Sequence, residues 1–160
     1  MRKLKLYLET SAWNFYFADD APEERDVTKQ FFDFIKKGAY EIYHSDVVLF
    51  EVNRASESKR KELLGLIDKY ASLELATTPE AEDLADKYME RKIVPANKRE
   101  DALHVGVATV AEVDALVTWN YHHLIGLRRS EMFHAINLEM GYTKKIEIIS
   151  PREVATDESE

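Results

Sequence analysis

Four polar side chains at widely separated points of the 160-residue chain have the types that could bind a cation. Glu9 directly follows the run LKLYL, and Asn120 ends the run ALVTWN. Between them, Glu51 lies within VVLFEVNRA and Asp101 begins DALHVGVA. The chain has no Cys, so a metal would have to be held by oxygen or imidazole ligands. The groups available for chemistry are therefore carboxylates, hydroxyls and five His. The acids could form a cation site only if the fold brings them close together.

Each acid also has a purely structural interpretation. Strands end in polar loops, so Glu9 by itself carries little information. Glu51 could be a partly exposed helical residue that pairs with Arg54 one turn later. Asp101 lies in a predicted first helical turn, where the helix dipole favours an acid. Taken one at a time, the acids leave both interpretations open.

Alternating strands and helices predict where these residues lie. Five runs have the pattern of β-strands: residues 4–8, 40–45, 73–76, 115–120 and 145–150. Caps, Pro at a first turn and apolar spacing predict helices from Pro22 to Gly38, from Ser45 through VVLFEVNRA, at 57–70, from Thr78, at 99–112 and at 130–141. Parallel strands need such long crossovers. We therefore expect an α/β fold with a central, mostly parallel, twisted sheet of about five strands flanked by helices.

This topology predicts a functional site at one edge of the sheet. In open α/β sheets, ligands bind outside the carboxyl ends of the strands, where the strand order reverses. Glu9 and Asn120 each follow a predicted strand, whereas Asp114 precedes one and is expected at the opposite edge. His104 lies one helical turn after Asp101, and we interpret it as a core or capping residue rather than as a metal ligand.

Length and composition indicate a single domain. A chain of 160 residues with 45% hydrophobic content can bury one core but not two ordinary ones. We assign the domain to residues 1–150 and predict that the acidic stretch 151–160 is a disordered tail. No run could span a membrane and the N-terminus lacks a signal peptide, so we expect no membrane association and a cytoplasmic location. The net charge of −8 argues against nucleic-acid binding through overall basicity.

In chain order, the polar residues and their motifs resemble the PIN-domain nucleases, in particular the VapC-type toxins of toxin-antitoxin systems. LYLETS matches the first motif, where the family usually has Asp followed by Thr-Ser. VVLFEVNRA matches the second motif, DALHVGVA the third and VTWNYHHL the fourth. The resemblance extends to about residue 150, and the stretch DALHVGVATVAEVDALVTWN is its most specific part.

The resemblance implies a single-domain PIN-like fold and an endoribonuclease that uses Mg²⁺ or Mn²⁺ to hydrolyse RNA phosphodiester bonds. Clustered carboxylates repel one another and stay ionised together when cations lie among them, and hard oxygen ligands suit these two metals. The catalytic metal ligands implied by the motifs are Glu9, Glu51, Asp101 and Asn120.

The resemblance also implies supporting residues and partners. A hydroxyl after the first acid commonly supports the site in this family, so we prefer Ser11 over Thr10 in that role, with Thr118 as a second supporting residue. A cognate antitoxin and a homodimer are the implied protein partners. Basic residues near the motifs are candidates for RNA contact, namely Arg54, Lys98 and Arg99, although each could equally form a local salt bridge.

Two motif positions depart from the family's usual acids. Glu9 stands where Asp is the rule, and its extra methylene moves the carboxylate by about 1.5 Å. In a catalytic site, a misplacement of this order can lower the rate by about 10²-fold. Asn120 stands where Asp is frequent, and its neutral oxygen should weaken a second metal more than the first. The competing hypothesis is a catalytically weakened or inactive PIN-fold module that binds RNA or protein.

Overall fold

Short apolar runs pair into one sheet in the computed structural model, which describes residues 2–70 and 72–159. Within these residues the strands are β1 Leu4–Leu8, β2 Tyr40–Ser45, β3 Leu73–Leu75, β4 Ala115–Val117 and β5 Glu147–Ile149. Their order across the sheet is β3-β2-β1-β4-β5, and every pairing is parallel. The predicted α/β class and the parallel sheet are therefore confirmed.

Helices lie between the strands in sequence, as parallel pairing requires. They are α1 Thr10–Asn14, α2 Pro22–Lys36, α3 Asp46–Asn53, α4 Glu57–Lys69, α5 Pro79–Glu90, α6 Arg99–Val110, α7 Leu127–Glu139 and α8 Pro151–Ser159, with a 3₁₀ turn at Phe15–Phe17. The predicted starts are present: Pro22 opens α2, Ser45 caps α3 and Thr78 caps α5. None of the helices in the described part of the chain is long and apolar enough to cross a membrane.

The central strand of the sheet is β1, and its residues Leu6, Tyr7 and Leu8 are buried. Leu6 lies opposite Ile42 of β2 on one side and Ala115 of β4 on the other. The strand order reverses between β1 and β4, because the chain runs outward through β2 and β3 and then crosses back. The carboxyl ends of β1 and β4 therefore meet at the edge where open α/β sheets bind ligands.

Several element boundaries differ from the sequence prediction. The short helix α1 and the turn Phe15–Phe17 follow β1 where no helix was predicted. The Glu9 side chain accepts the N–H of Ser11 and so caps α1. This capping role cannot be predicted from the position of an acid after a strand. Helix α7 begins at Leu127 rather than at residue 130, and β3, β4 and β5 are shorter than the predicted runs.

The C-terminal stretch requires a correction. Residues 151–159 form α8 instead of the predicted disordered tail 151–160, of which residue 160 lies outside the described residues. Val154 and Ala155 are buried, and α8 packs against α2. At its start, the Glu153 carboxylate accepts both the N–H and the hydroxyl of Ser150, with Oγ 2.7 Å from Oε2. This capping box and a small apolar face hold the helix despite its acidic composition.

Asp114 lies at the amino end of β4, as predicted, and has a structural role there. Its carboxylate accepts from Arg2 Nη1 at 2.8 Å, from Lys144 Nζ at 2.7 Å and from the N–H of Lys5 at 2.7 Å. The hydrogen bond from Arg2 lowers the pKa of Asp114 and outweighs the opposing effect of burial. Asp114 therefore joins the start of β1 to the segment that precedes β5.

Helix α6, which carries the DALHVGVA motif, packs closely against α5. At Gly106 of α6, an added Cβ would lie only 2.6 Å from the carbonyl oxygen of Ala81 in α5. The missing side chain therefore sets the distance between the two helices and fixes α6 relative to the rest of the core.

We predict that Gly106→Ala lowers the free energy of unfolding by about 1–3 kcal/mol, because the new methyl group meets the backbone of α5. Gly65→Ala is the matched control, since Gly65 is exposed on α4 and no atom lies within 4 Å of its added Cβ. The control should raise the free energy of unfolding by up to about 1 kcal/mol. Urea unfolding followed by circular dichroism measures both, and a stabilising Gly106→Ala would contradict the close approach.

Candidate functional site

Glu9 lies at the carboxyl end of β1, where three donors hold its carboxylate. Oε1 accepts from Ser11 Oγ at 2.5 Å, from Thr118 Oγ1 at 2.7 Å and from the N–H of Ser11 at 3.1 Å. Glu9 also donates its backbone N–H to the carbonyl oxygen of Val117 at 3.0 Å, which joins the carboxyl ends of β1 and β4. The residue is only 5% exposed. The hydroxyl and amide donors thus compensate a carboxylate that has been removed from water.

Ser11 and Thr118, the predicted supporting residues, form a hydroxyl cluster around Glu9. Ser11 Oγ accepts the N–H of Trp119 at 2.8 Å, and Thr118 Oγ1 accepts the N–H of Asn120 at 2.9 Å. The two hydroxyl oxygens are 3.3 Å apart. The loop that follows β4 is therefore fixed by the same hydroxyls that bind the Glu9 carboxylate.

Glu51 projects from α3 toward the same edge of the sheet. Its Oε1 accepts from Thr10 Oγ1 at 2.7 Å and from His104 Nε2 at 2.5 Å. The expected ion pair with Arg54 is also present. The distance from Arg54 Nη2 to Glu51 Oε2 is 3.9 Å, which is longer than either of these hydrogen bonds. Burial by itself raises the pKa of Glu51, but the hydrogen bonds from His104 and Thr10 and the charge of Arg54 outweigh it, so the pKa is lowered. Glu51 is therefore an ionised acid held by neighbouring donors.

His104 is fully buried, and both of its ring nitrogens have partners. When the ring is neutral and Nε2–H donates to Glu51, Nδ1 accepts from the Tyr7 hydroxyl, 2.6 Å away. Tyr7 Oη is in turn 2.7 Å from Ser45 Oγ, and Ser45 Oγ accepts two backbone N–H groups in the first turn of α3. This relay connects Glu51 through the core to the start of its own helix.

Glu9, Glu51 and His104 form a compact group of possible ligands. One ligand atom from each residue lies within 4.8 Å of the others. Burial by itself lowers the pKa of His104, but the hydrogen bond to Glu51 and the negative charge of Glu9 outweigh it and raise the pKa. Carboxylate oxygens with an imidazole nitrogen are donors that fit a divalent cation such as Mn²⁺, and the oxygens alone fit Mg²⁺. His104 does lie in the core, as interpreted from the sequence, and it also belongs to this group.

Asp101 and Asn120 line a cleft of about 550 Å³ that opens beside Glu51. Asp101 lies in the first turn of α6, and its Oδ2 is 3.1 Å from His123 Nδ1. Asn120 Oδ1 accepts the N–H of His123 at 2.8 Å and closes the turn after β4. The cleft is lined by Glu51, Arg54, residues 96–101, Asn120 and His123. Three of the predicted ligand positions thus share this cleft, while Glu9 is buried next to it.

The three basic residues predicted to contact RNA also line the cleft. Arg54 donates to Glu100 at 2.6 Å, and Arg99 donates to Asp86 at 2.5 Å. Lys98 is exposed immediately before α6. The local salt bridges considered for the two arginines are therefore present, and all three positive charges still border the cleft.

Sequence reasoning missed several contacts of the site. From the sequence we prefer Ser11 over Thr10, whereas both hydroxyls contact an acid. Ser11 donates to Glu9, and Thr10 donates to Glu51. The sequence feature that could have predicted this arrangement is the pair of adjacent hydroxyl residues directly after Glu9. The sequence patterns did not predict that Tyr7 contacts His104 or that His123 contacts Asp101. Nothing in the sequence pairs these residues with their distant partners.

The chain shares its fold with a solved structure described as "Crystal structure of a member of the VapBC family of toxin-antitoxin systems, VapBC-5, from Mycobacterium tuberculosis". The TM-score is 0.50 at 14% sequence identity, and the match covers 91% of this chain and 98% of that chain. At this identity the likeness concerns the fold alone, and it confirms the predicted PIN-like fold. No family model matches the chain, and no curated protein matches it.

We predict that the Glu51–His104 pair stabilises the metal-free fold most strongly between about pH 4.5 and pH 6.5, the ordinary pKa values of the two groups. Because the pKa of His104 is raised on folding, its contribution is complete below pH 6.5 and is lost as the pH rises through the raised value. Because the pKa of Glu51 is lowered, its contribution is present above pH 4.5 and is lost as the pH falls through the lowered value.

Urea unfolding of the native chain and of Glu51→Gln across this pH range measures the effect. The difference in unfolding free energy should reach about 1–3 kcal/mol inside the window and decrease on both sides. Glu62→Gln, which changes an exposed acid on α4, is the matched control and should show no such maximum. A difference for Glu51→Gln that does not vary with pH would contradict the assignment.

Proposed function

We propose that the chain is a metal-dependent endoribonuclease that hydrolyses RNA phosphodiester bonds. The observation that carries this proposal is the group of Glu9, Glu51 and His104 at the edge where the strand order reverses. Two carboxylates this close repel each other unless positive charge lies between them, and a polar cleft beside them gives access to a substrate. The fold shared with a member of a toxin-antitoxin family agrees with this activity.

We infer that the cofactor is Mg²⁺ or Mn²⁺, which suit oxygen-rich donor sets. The residues that would hold it are Glu9, Glu51, Asp101 and Asn120. When bound, such an ion supplies a Lewis acid that binds a phosphate oxygen and lowers the pKa of a water. The chain's own residues prepare the site: hydroxyl donors hold the Glu9 carboxylate, and Thr10 and His104 hold Glu51 in its ionised form.

The charge distribution of the cleft supports RNA as the substrate. The chain carries a net charge of −8, so overall charge does not attract a polyanion. Arg54, Lys98 and Arg99 nevertheless border the cleft, and a bound divalent cation would add further positive charge at the acids. We propose that these three residues contact RNA phosphates around the scissile bond.

We propose that the activity is controlled by a cognate antitoxin, so that the chain is the toxin of a toxin-antitoxin pair in the cytoplasm. The description of the structure that shares its fold supports this role. We also propose a homodimer. Apolar side chains exposed on α7, namely Leu127, Met132 and Leu138, support an interface on that helix.

One observation favours a second candidate function, a PIN-fold module that binds RNA or protein with little catalysis. Glu9 is almost completely buried, and its Oε1 already accepts from three donors. These donors compensate the burial of Oε1 without a metal. The two candidates therefore differ in whether Glu9 serves the cation or only the loop after β4.

Asp101→Asn tests the nuclease directly, because it removes a charge from the cleft while keeping the shape of the side chain. We predict that native protein cleaves single-stranded RNA with Mg²⁺ or Mn²⁺ and that Asp101→Asn lowers the rate by about 10²-fold. Glu62→Gln, an exposed acid on α4, is the matched control and should cleave at the native rate. Absence of both cleavage and calorimetric metal binding in the native protein would overturn the enzymatic proposal.

Glu9→Asp separates the two candidate functions. Ser11 and Thr118 are placed for the longer side chain, so shortening it by about 1.5 Å withdraws the carboxylate from both hydroxyls. If Glu9 serves catalysis in its present position, the rate falls by about 10²-fold. A rate that rises in Glu9→Asp would instead show that the native Glu weakens the site. Initial cleavage rates at saturating metal distinguish these outcomes.

A further inference from the structure

An aromatic pocket of about 440 Å³ lies on the loop after β4, next to the candidate metal site. It is lined by Phe15, Ala21, Glu24, Trp119, Tyr121 and Arg152. We propose that this aromatic pocket binds one unpaired base of the RNA substrate. The inference rests on the proposed function for the identity of the ligand, but it concerns residues that have no part in holding the metal.

Aromatic rings provide the stacking surface of the pocket. The rings of Phe15 and Trp119 are 5.7 Å apart at an interplanar angle of 39°. Tyr121, two residues after Trp119, is 52% exposed. Single-stranded RNA is bound by stacking its unpaired bases on such rings, since every base has an apolar face. An exposed tyrosine beside two further rings is a surface of this kind.

Hydrogen bonds hold the central ring in place before any ligand arrives. Trp119 donates its indole N–H to Thr28 Oγ1 at 2.8 Å, and the Thr28 hydroxyl donates to the carbonyl oxygen of Glu24 at 2.7 Å. Thr28 is completely buried in α2. Because the indole orientation is fixed by a buried partner, little conformational freedom remains to be lost when a base enters the pocket beside it.

The charges at the pocket suit a base better than an isolated phosphate. The Arg152 guanidinium lies over the Trp119 ring, 5.7 Å from its centre, and is 3.5 Å from Glu23. A base entering the pocket would therefore meet the guanidinium plane together with the exposed Tyr121 ring. Glu24 also lines the pocket, so the lining residues include an acid as well as one cation. A phosphate would be repelled by this acid, whereas a base offers both an apolar face and polar edges.

The pocket is joined to the carboxylates through a single loop. Trp119 donates its backbone N–H to Ser11 Oγ at 2.8 Å, and the same hydroxyl donates to Glu9 at 2.5 Å. The next residue along the chain, Asn120, lines the cleft. Successive residues of the loop therefore face the pocket and the cleft, and a base held at Trp119 would fix the position of the RNA strand relative to the acids.

Trp119 itself reports on the pocket, because the other tryptophan, Trp13, is completely buried in the core. The experiment titrates the full-length chain, in EDTA, with single-stranded oligoadenylate of about six nucleotides, within the range bound by one stacking platform. A ribose-phosphate chain of the same length without bases is the second ligand. Tryptophan fluorescence is measured for the native chain, Tyr121→Ala, Tyr121→Phe and Leu64→Ala.

We expect oligoadenylate to quench the fluorescence of the native chain and the baseless chain to leave it unchanged. Tyr121→Ala should weaken oligoadenylate binding about tenfold, whereas Tyr121→Phe, which keeps the ring, should bind like the native chain. Leu64→Ala removes an exposed apolar side chain on α4 that does not line the pocket, and it should have no effect.

Three outcomes would overturn the proposal: no quenching by oligoadenylate, equal binding of the baseless chain, or native affinity in Tyr121→Ala. The titration contains no metal, so its outcome does not depend on cleavage. If cleavage is observed without base binding, only the pocket assignment fails. If base binding is observed without cleavage, the pocket assignment stands and the chain is an RNA-binding module instead of a nuclease.

Discussion

The hydrogen bond from the backbone N–H of Glu9 to the carbonyl oxygen of Val117 joins β1 to β4 where the strand order reverses. Since β1 pairs in parallel with both β2 and β4, residues that are far apart in sequence end at one edge of the sheet. Glu9 comes from the end of β1, and Glu51 from the helix that follows β2. Without this central strand, Glu9 and Glu51 would not lie close together. The loop between the cleft and the aromatic pocket would also lack its support.

Burying acids at that edge requires compensation, and the neighbouring side chains provide it. Hydroxyls of Ser11 and Thr118 donate to Glu9, while Thr10 and His104 donate to Glu51. Two of these donors have a second task, because the hydroxyls of Ser11 and Thr118 also hold the loop after β4. The fold and the candidate chemistry therefore share their hydrogen bonds, so a substitution at the site also affects local structure.

Sequence periodicity was sufficient for the order of the elements and for the edge at which the acids meet. It worked because strand and helix patterns depend on local spacing, and because parallel pairing places all carboxyl ends together. It failed where few residues carry the signal. The acidic composition of residues 151–159 concealed the Ser150–Glu153 cap, and the single turn of α1 is too short for periodicity. The partners of His104 could not be predicted, because Tyr7 and Glu51 approach it only through the tertiary fold.

The relay from Ser45 through Tyr7 and His104 to Glu51 has a directional property. With neutral His104, each hydrogen points toward Glu51, and the N–H groups at the start of α3 polarise the series in that direction. When His104 gains a proton, Nδ1–H donates to Tyr7 and the Tyr7 hydroxyl turns to Ser45, while the heavy atoms keep their partners. The charge of His104 next to Glu51 can therefore change while the side chains of the relay stay in place. The cleft can keep one geometry in both protonation states of His104.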